Sequence, residues 1–365
     1  MKELRDIYKA YREATSLGKR TALATVVEIS GSSYRQPGAR MLITDDGNFT
    51  GAISGGCLEG DALRKALLVI RSNNPNVVTY DTSDEEDAAI GVALGCNGII
   101  HILIEPIDVN NPLNIIEQLA EILDSRTTNL LVTRFSIKNR KSISSGTTLF
   151  NNVNSSELFH RASEVLNNGV TTSELLPGDT QEKVLYDVIH PALRLVIAGG
   201  GNDVMPLVQM ADVLGWESIV ADGRTTHATR QRFPLATQVL LTRPAELAEK
   251  VLADDRTIFL LMTHNYNYDL VVLRSVLDSA TKYIGILGPK NKTEKLLAEV
   301  SGKEGLTSEQ AEKIYGPTGL DTGAENAQEI ALSICAEINS VINGRRGGNL
   351  RKRQIPIHTE EDQQA

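Results

Sequence analysis

Three short segments carry the residue types and spacings that could do chemistry. The first is Ser54-Gly55-Gly56-Cys57-Leu58-Glu59. Small residues ahead of a helix can turn successive backbone N–H groups toward an anion. A cysteine at a helix N-terminus is biased toward its thiolate. Arg35 and Arg40, in the loop before it, carry planar guanidinium groups suited to bidentate anion recognition. The second segment, Gly95-Cys96-Asn97-Gly98, sets another cysteine in a glycine turn. A soft thiolate suits a soft metal or a transferable sulfur, which makes Cys57 and Cys96 the metal-ligand candidates. Their spacing is not CxxC, so no structural zinc is expected. Either cysteine also suits a small buried residue in a tight turn. Cys335 falls inside a helical pattern and carries no expected role.

The third segment is Gly199-Gly200-Gly201, which follows an apolar strand pattern and opens a helix. That is the context of a dinucleotide fingerprint. Gly199 would permit the tight turn, and Gly201 would admit a pyrophosphate to the helix N-terminus. Asp222 lies 21 residues beyond Gly201 at the next strand end, where a carboxylate can accept ribose hydroxyls. Val204 replaces the third glycine, and Asp203 sits where a phosphate would be repelled. The same glycines would serve a strand-to-helix turn with no ligand at all. At the other strand ends stand Thr263, His264 and Asp269, then Gly288-Pro289-Lys290-Asn291-Lys292. His264 suits a ligand contact or a helix cap. The two lysines at this helix start, Lys290 and Lys292, oppose the dipole, which points to an anion that they meet, with plain surface lysines as the alternative. No Ser-His-Asp set, HExxH or Walker lysine motif is visible, and nothing declares a catalytic base. A carrier fits this better than a hydrolase.

These segments need elements to position them. Residues 2–18 repeat apolar positions at helical spacing; 21–29 form a β-branched strand; 41–44 and 49–53 read as a hairpin around Asp45-Asp46-Gly47. A helix over 58–71 follows Cys57, then strands over 77–80 and 98–104, a helix over 115–123, and strands over 129–136, 147–150 and 182–189, with 151–154 as a loop. Pro191 marks a domain boundary. Beyond it strands alternate with helices, including a short one near Thr229, and a last helix covers 324–343. The expected fold is α/β: an N-terminal mixed α/β domain over 1–190, a Rossmann-like doubly wound parallel sheet over 191–345, and a disordered tail over 346–365.

The 365 residues are 41% hydrophobic, enough for two cores, and the formal charge of −9 argues against a nucleic-acid binder. Three cysteines do not make a disulfide framework. With no signal-peptide pattern and no membrane-length apolar run, the expectation is a cytoplasmic protein with reduced thiols and no membrane partner.

The order of motifs resembles the XdhC/CoxI family. GSSYRQPGARMLITDDG, GAISGGCLEG and GCNGIIHILIEP are similar to its N-terminal segments. LVIAGGGNDV, VADGR, MTHNYNYD, YIGILGPKNK and GPTGLDTGAENAQEIALSICAEI are similar to its C-terminal Rossmann domain. The resemblance covers nearly the whole chain outside 110–185 and the tail. It implies an accessory factor, not itself a hydroxylase, that binds molybdenum cofactor between its domains. Such a factor supports sulfuration with a cysteine desulfurase and delivers the cofactor to a molybdenum hydroxylase apoenzyme of the xanthine dehydrogenase type. A homodimer follows by analogy. Carried onto this chain, the implied cofactor contacts are Arg35, Arg40, Ser54, Gly55, Gly56, Cys57 and Cys96. Gly199, Gly201 and Asp222 would hold a phosphate or an attached nucleotide, with His264 and Lys290 beside them. Many members have His after the glycine turn where this chain has Asn202, so no role of that His carries over. Two rivals remain: an NAD(P)-dependent oxidoreductase that uses the distal domain and His264, and a cofactor-free scaffold bridging desulfurase and apoenzyme.

Overall fold

The computed structural model describes residues 1–82, 98–142, 145–176, 181–302 and 305–354. Cys96 and the last residues of the predicted tail, 355–365, lie outside them; the described part of that tail holds a single-turn 3-10 helix, Leu350–Lys352. The chain divides into two compact units, Met1–Pro191 and Ala192–Ala365.

The first unit begins with α1 (Lys2–Ser16), β1 (Thr21–Gly31), β2 (Arg40–Thr44), β3 (Phe49–Gly51), α2 (Glu59–Ser72), β4 (Asn76–Asp81) and β5 (Gly98–Ile107). Its first sheet is antiparallel in the order β3-β2-β1-β5-β4. The unit continues through α3 (Ile115–Asp124), β6 (Asn129–Ser136), β7 (Gly146–Leu149), α4 (Ser156–Asn168), β8 (Thr172–Leu175) and β9 (Glu182–Ile189). Its second sheet runs β7-β6-β9-β8. Period-two alternation sorts the strand residues onto two faces. Ala22, Ala24, Val26, Met41 and Ile43 pack on Ala62, Ala66 and Val69 of α2. Leu23 and Leu42 meet α1 and α3, while Val27 and Leu103 meet Phe135 and Leu185 of the second sheet. With both faces covered, β1 is buried from Thr21 to Val27. A bulge between Val26 and Glu28 re-aims Glu28, whose carboxylate pairs with Lys183 of β9 at 2.5 Å.

The sequence expectations missed α4 and β8. The signals for α4 are present: Ser155 caps its start, Gly169 ends it in the left-handed region, and Leu158, Ala162 and Val165 bury one stripe. They sit in a polar stretch that conceals the period.

The second unit contains β10 (Arg194–Ala198), α5 (Val204–Leu214), β11 (Glu217–Asp222), β12 (Gln238–Leu241), α6 (Leu247–Lys250), β13 (Thr257–Leu261) and α7 (Tyr266–Val276). It closes with β14 (Tyr283–Ile286), α8 (Lys290–Ser301), α9 (Ser308–Glu312), β15 (Ile314–Tyr315) and α10 (Ala327–Ile342). All six strands are parallel, in the order β12-β11-β10-β13-β14-β15. This is a doubly wound sheet whose order reverses between β10 and β13, the place where such sheets take ligands. α5 and α10 cover one face through Leu207, Ala211, Ile334 and Ile338. Leu247, Leu273, Val276 and Leu296 from α6, α7 and α8 cover the other. The helix expected near Thr229 does not form. The chain there makes successive turns, with His227 N–H donating to the Arg224 carbonyl (3.0 Å) and Arg232 N–H to that of Thr229 (3.1 Å). Polar and β-branched side chains give this segment no apolar stripe to bury. Among the described residues no helix is long and apolar enough to cross a membrane.

Candidate cofactor site

In the first unit the segment from Ala52 to Leu58 is a loop leading into α2, built around two buried side chains. Glu59 accepts hydrogen bonds from the N–H groups of Ile53 (3.2 Å) and Ser54 (2.8 Å), and from the Ser54 hydroxyl (2.5 Å). With its hydrogen committed there, the Ser54 hydroxyl turns its lone pairs to the N–H groups of Gly56, Cys57 and Leu58, at 3.1–3.2 Å. Burial pushes the Glu59 carboxyl up, but the Ser54 hydroxyl and backbone N–H groups outweigh it and hold the carboxyl below its ordinary value. Ser54 and Glu59 are buried, whereas Gly55, Gly56 and Cys57 are exposed. Cys57 is a free thiol one residue ahead of the α2 N-cap, Leu58. The backbone donors expected to cradle an anion thus converge on a serine oxygen, and the loop presents a thiol instead.

The two arginines have different settings. Arg35 is half-buried; its Nε donates to the Ala52 carbonyl (3.2 Å) and its Nη2 pairs with Glu3, which also accepts from Ala52 N–H (3.0 Å). It therefore fastens its loop to α1. Arg40 is 2% exposed and pairs with Asp187 of β9 at 2.7 Å, inside the unit between the two sheets. It is remote from solvent, so any contact with a cofactor would require that ion pair to open. Cys335, by contrast with Cys57, lies in α10, and burial pushes its thiol up to about 12. Among the described residues no three histidine, cysteine or acidic side chains converge as a metal centre.

In the second unit the glycine turn lies at the switch point. Gly199 has φ +124°, and a Cβ there would fall 2.6 Å from the Met262 carbonyl oxygen. Only glycine lets β10 turn this close to the end of β13. Gly199→Ala is expected to destabilise this unit by about 1–3 kcal/mol, read as a lower urea midpoint by fluorescence of Trp216; an unchanged midpoint would refute the steric account.

The turn is closed by the chain itself. Asp222 is 4% exposed, and its carboxylate accepts from Gly200 N–H (2.7 Å), Arg224 N–H (2.8 Å), and Arg224 Nε (3.0 Å) and Nη2 (2.7 Å). Burial raises the Asp222 pKa, the Arg224 bonds lower it, and the net direction is down. His227 packs over Gly200, and Arg232 donates to the Gly200 carbonyl (3.2 Å) and the Asn202 side chain (2.8 Å). The Asp203 carboxylate leans over Gly201, with Oδ1 buried and, among the described residues, without a hydrogen-bond partner. A pyrophosphate approaching Gly201 would meet that charge.

Beside the turn, the two expected lysines have different settings. Lys290 is 79% exposed, and among the described residues its ion-pair partner is Glu294, at 4.0 Å. Lys292 instead reaches inward: its ammonium pairs with the fully buried Asp269 (2.6 Å) and donates to the Leu287 carbonyl (3.0 Å). Thr263 donates to Asp269 as well (2.5 Å). Burial pushes the Asp269 carboxyl up, with Lys292 and Thr263 opposing. His264 is exposed. Of the two lysines that the sequence set toward an anion, Lys292 meets one inside the unit, the Asp269 carboxylate; its place three residues after Pro289 sets it one turn into α8 and over the strand ends.

A mixed α/β unit with a glycine–cysteine loop, followed by a doubly wound unit with a glycine turn at its switch point, makes this a two-part α/β protein with a Rossmann-like second unit. The XdhC Rossmann domain matches residues 195–338, and the XdhC and CoxI family matches residues 14–81. A relative from Bacillus subtilis, described as a probable xanthine dehydrogenase subunit, is 30% identical over 316 residues, covering 87% of this chain and 91% of the relative. The molybdenum cofactor insertion chaperone PaoD of Escherichia coli is 25% identical over 343 residues, covering 92% and 88%. A crystal structure described as a xanthine dehydrogenase from Bacillus halodurans superposes with a TM-score of 0.76 at 29% identity, covering 93% of this chain and 97% of that one. The chain belongs to the XdhC/CoxI family.

Proposed function

We propose that this protein is an accessory factor that binds molybdenum cofactor and delivers it to a hydroxylase of the xanthine dehydrogenase type, without itself catalysing hydroxylation. The observation that carries the reading is Cys57: a free, exposed thiol at the start of α2, on a loop held from beneath by Ser54 and Glu59. A cysteine sulfur is a fitting ligand for a soft, sulfur-bound metal. The fit is good at the metal end. At the phosphate end Arg40 is buried and Arg35 is already paired, so Cys57, Gly55 and Gly56 are the residues of this unit that would hold the cofactor. When bound, the cofactor supplies the molybdenum and its sulfur ligands. The protein supplies the thiol and keeps its loop in place. Help in sulfuration by a cysteine desulfurase, an apoenzyme partner and self-association belong to the same proposal, which the names of the two relatives support at the level of maturation.

The distal unit gives less support to an NAD(P)-dependent oxidoreductase. Asp222, the ribose acceptor in that reading, is already saturated by Arg224 and Gly200, and Asp203 stands over the phosphate position.

The test is anaerobic incubation of the purified protein with molybdenum cofactor, removal of free ligand, and assay of retained molybdenum and pterin. Near-stoichiometric retention is expected, with at least a ten-fold loss in Cys57→Ala or in Cys96→Ala. Retention unchanged in both variants would remove the cysteine role. No retention by folded wild type, with capture of both desulfurase and apoenzyme intact, would favour the scaffold.

A further inference from the structure

Tyr34 took no part in the sequence argument, yet it stands on the loop that carries the exposed thiol. Tyr34 belongs to the loop that joins β1 to β2, and it is 70% exposed. Its ring rests on Gly55: a Cβ built there would lie 3.6 Å from the ring atoms Cγ and Cδ1. One edge of the ring is thus seated on the loop that presents Cys57, while most of its surface faces solvent. Among the described residues its hydroxyl finds no hydrogen-bond partner. The next residue, Arg35, is tied to Glu3 and to the Ala52 carbonyl, which fixes the loop on which the ring stands. Next in the chain, Gly56 has φ +109° and open space where a side chain would project.

We infer that Tyr34 is a stacking platform for the planar, heteroaromatic part of the bound cofactor. This rests on the carrier reading above. An exposed ring seated on Gly55, two residues before the thiol in the chain, offers what a pterin needs: one flat apolar face at small entropic cost, near a ligand for the metal. The alternative is that Tyr34 only shields Gly55 from water. That role would need bulk but no π face.

The experiment uses the full-length protein and a free oxidised pterin carrying neither phosphate nor metal, with quenching of pterin fluorescence as the readout. Wild type and Tyr34→Phe are expected to quench with the same half-saturation. Tyr34→Leu is expected to weaken binding by about ten-fold, the loss typical of one stacked ring. Equal urea midpoints for the tyrosine variants check that the fold survives. Equal quenching by Tyr34→Leu and wild type overturns the platform. So does an absence of quenching in wild type, and the molybdenum retention assay then reports separately whether the carrier reading stands.

Discussion

Arg40→Met is expected to destabilise the first unit by about 3–5 kcal/mol, the typical cost of stranding one partner of a buried ion pair. Arg40 lies on the face of β2 turned toward the second sheet, opposite Asp187 of β9, with side chains 2% and 9% exposed. The Nη2–Oδ2 distance is 2.7 Å, but the angle falls outside that of a hydrogen bond, so charge rather than alignment holds this contact. Nη1 donates to the Gly38 carbonyl (2.8 Å), and Thr171 donates to Asp187 (3.3 Å). The site is shaped for the carboxylate: Gly38 has φ +93°, and a Cβ there would lie 2.6 Å from Asp187 Oδ1. Methionine keeps much of the arginine stem's packing, so the loss isolates the charge. The double variant Arg40→Met, Asp187→Leu should recover most of it, because two apolar groups leave nothing stranded. Urea unfolding by circular dichroism reads the first unit, while Trp216, in the second, serves as the internal control. A midpoint within error of wild type for the single variant would show the pair to be dispensable.

How much of this was legible beforehand follows from where the information sits. The parallel sheet of the second unit was readable because each strand is a short apolar run bounded by turns, and local pattern suffices. The two-sheet arrangement of the first unit was not. Arg40 reads as an anion-binding residue of a loop, nothing local marks Asp187, Glu28 or Lys183 as its neighbours, and only the pairing of β1, β2 and β9 into two facing sheets turns these charges inward. Glu105 makes the same point. It sits in an otherwise apolar strand and is buried, where it accepts from the Thr147 hydroxyl (2.7 Å) and N–H (3.1 Å). Burial pushes its carboxyl up. At the candidate site the sequence located the Ser54–Glu59 segment but mistook the use of its donors. Glycines near a helix start suggest free N–H groups, and nothing local says that Ser54 would collect three of them. Asp222 and Arg224, two residues apart, could have been read as a pair, since an Asp side chain readily bonds the backbone two residues on.

Glu59 gives the second large effect, and it joins stability to function. Glu59→Ala is expected to cost about 2–4 kcal/mol, because the N–H groups of Ile53 and Ser54 and the Ser54 hydroxyl lose their shared acceptor in a buried setting. The Ser54 hydroxyl, no longer committed as donor to Glu59, is free to rotate, and the N–H groups of Gly56, Cys57 and Leu58 lose a fixed acceptor. Retained molybdenum should therefore fall at least five-fold at a temperature where the variant remains folded, although Glu59 itself is buried away from any ligand. Glu59→Gln is the discriminating variant. Its carbonyl can still serve both backbone N–H groups, but its amide donates toward Ser54 and forces the hydroxyl to turn. It should keep most of the stability and lose part of the retention, whereas equal losses in both would mark a role in stability alone. The pH dependence has a definite sign. The folded-state pKa of Glu59 is below its ordinary 4.5, so its contribution is complete above that value and is lost as pH falls through the folded pKa. Wild type should lose stability in the first unit on acidification below about pH 4.5 more steeply than Glu59→Gln, which has no carboxylate to protonate. Parallel pH profiles for the two proteins would mean that the Ser54–Glu59 pair does not hold the Cys57 loop.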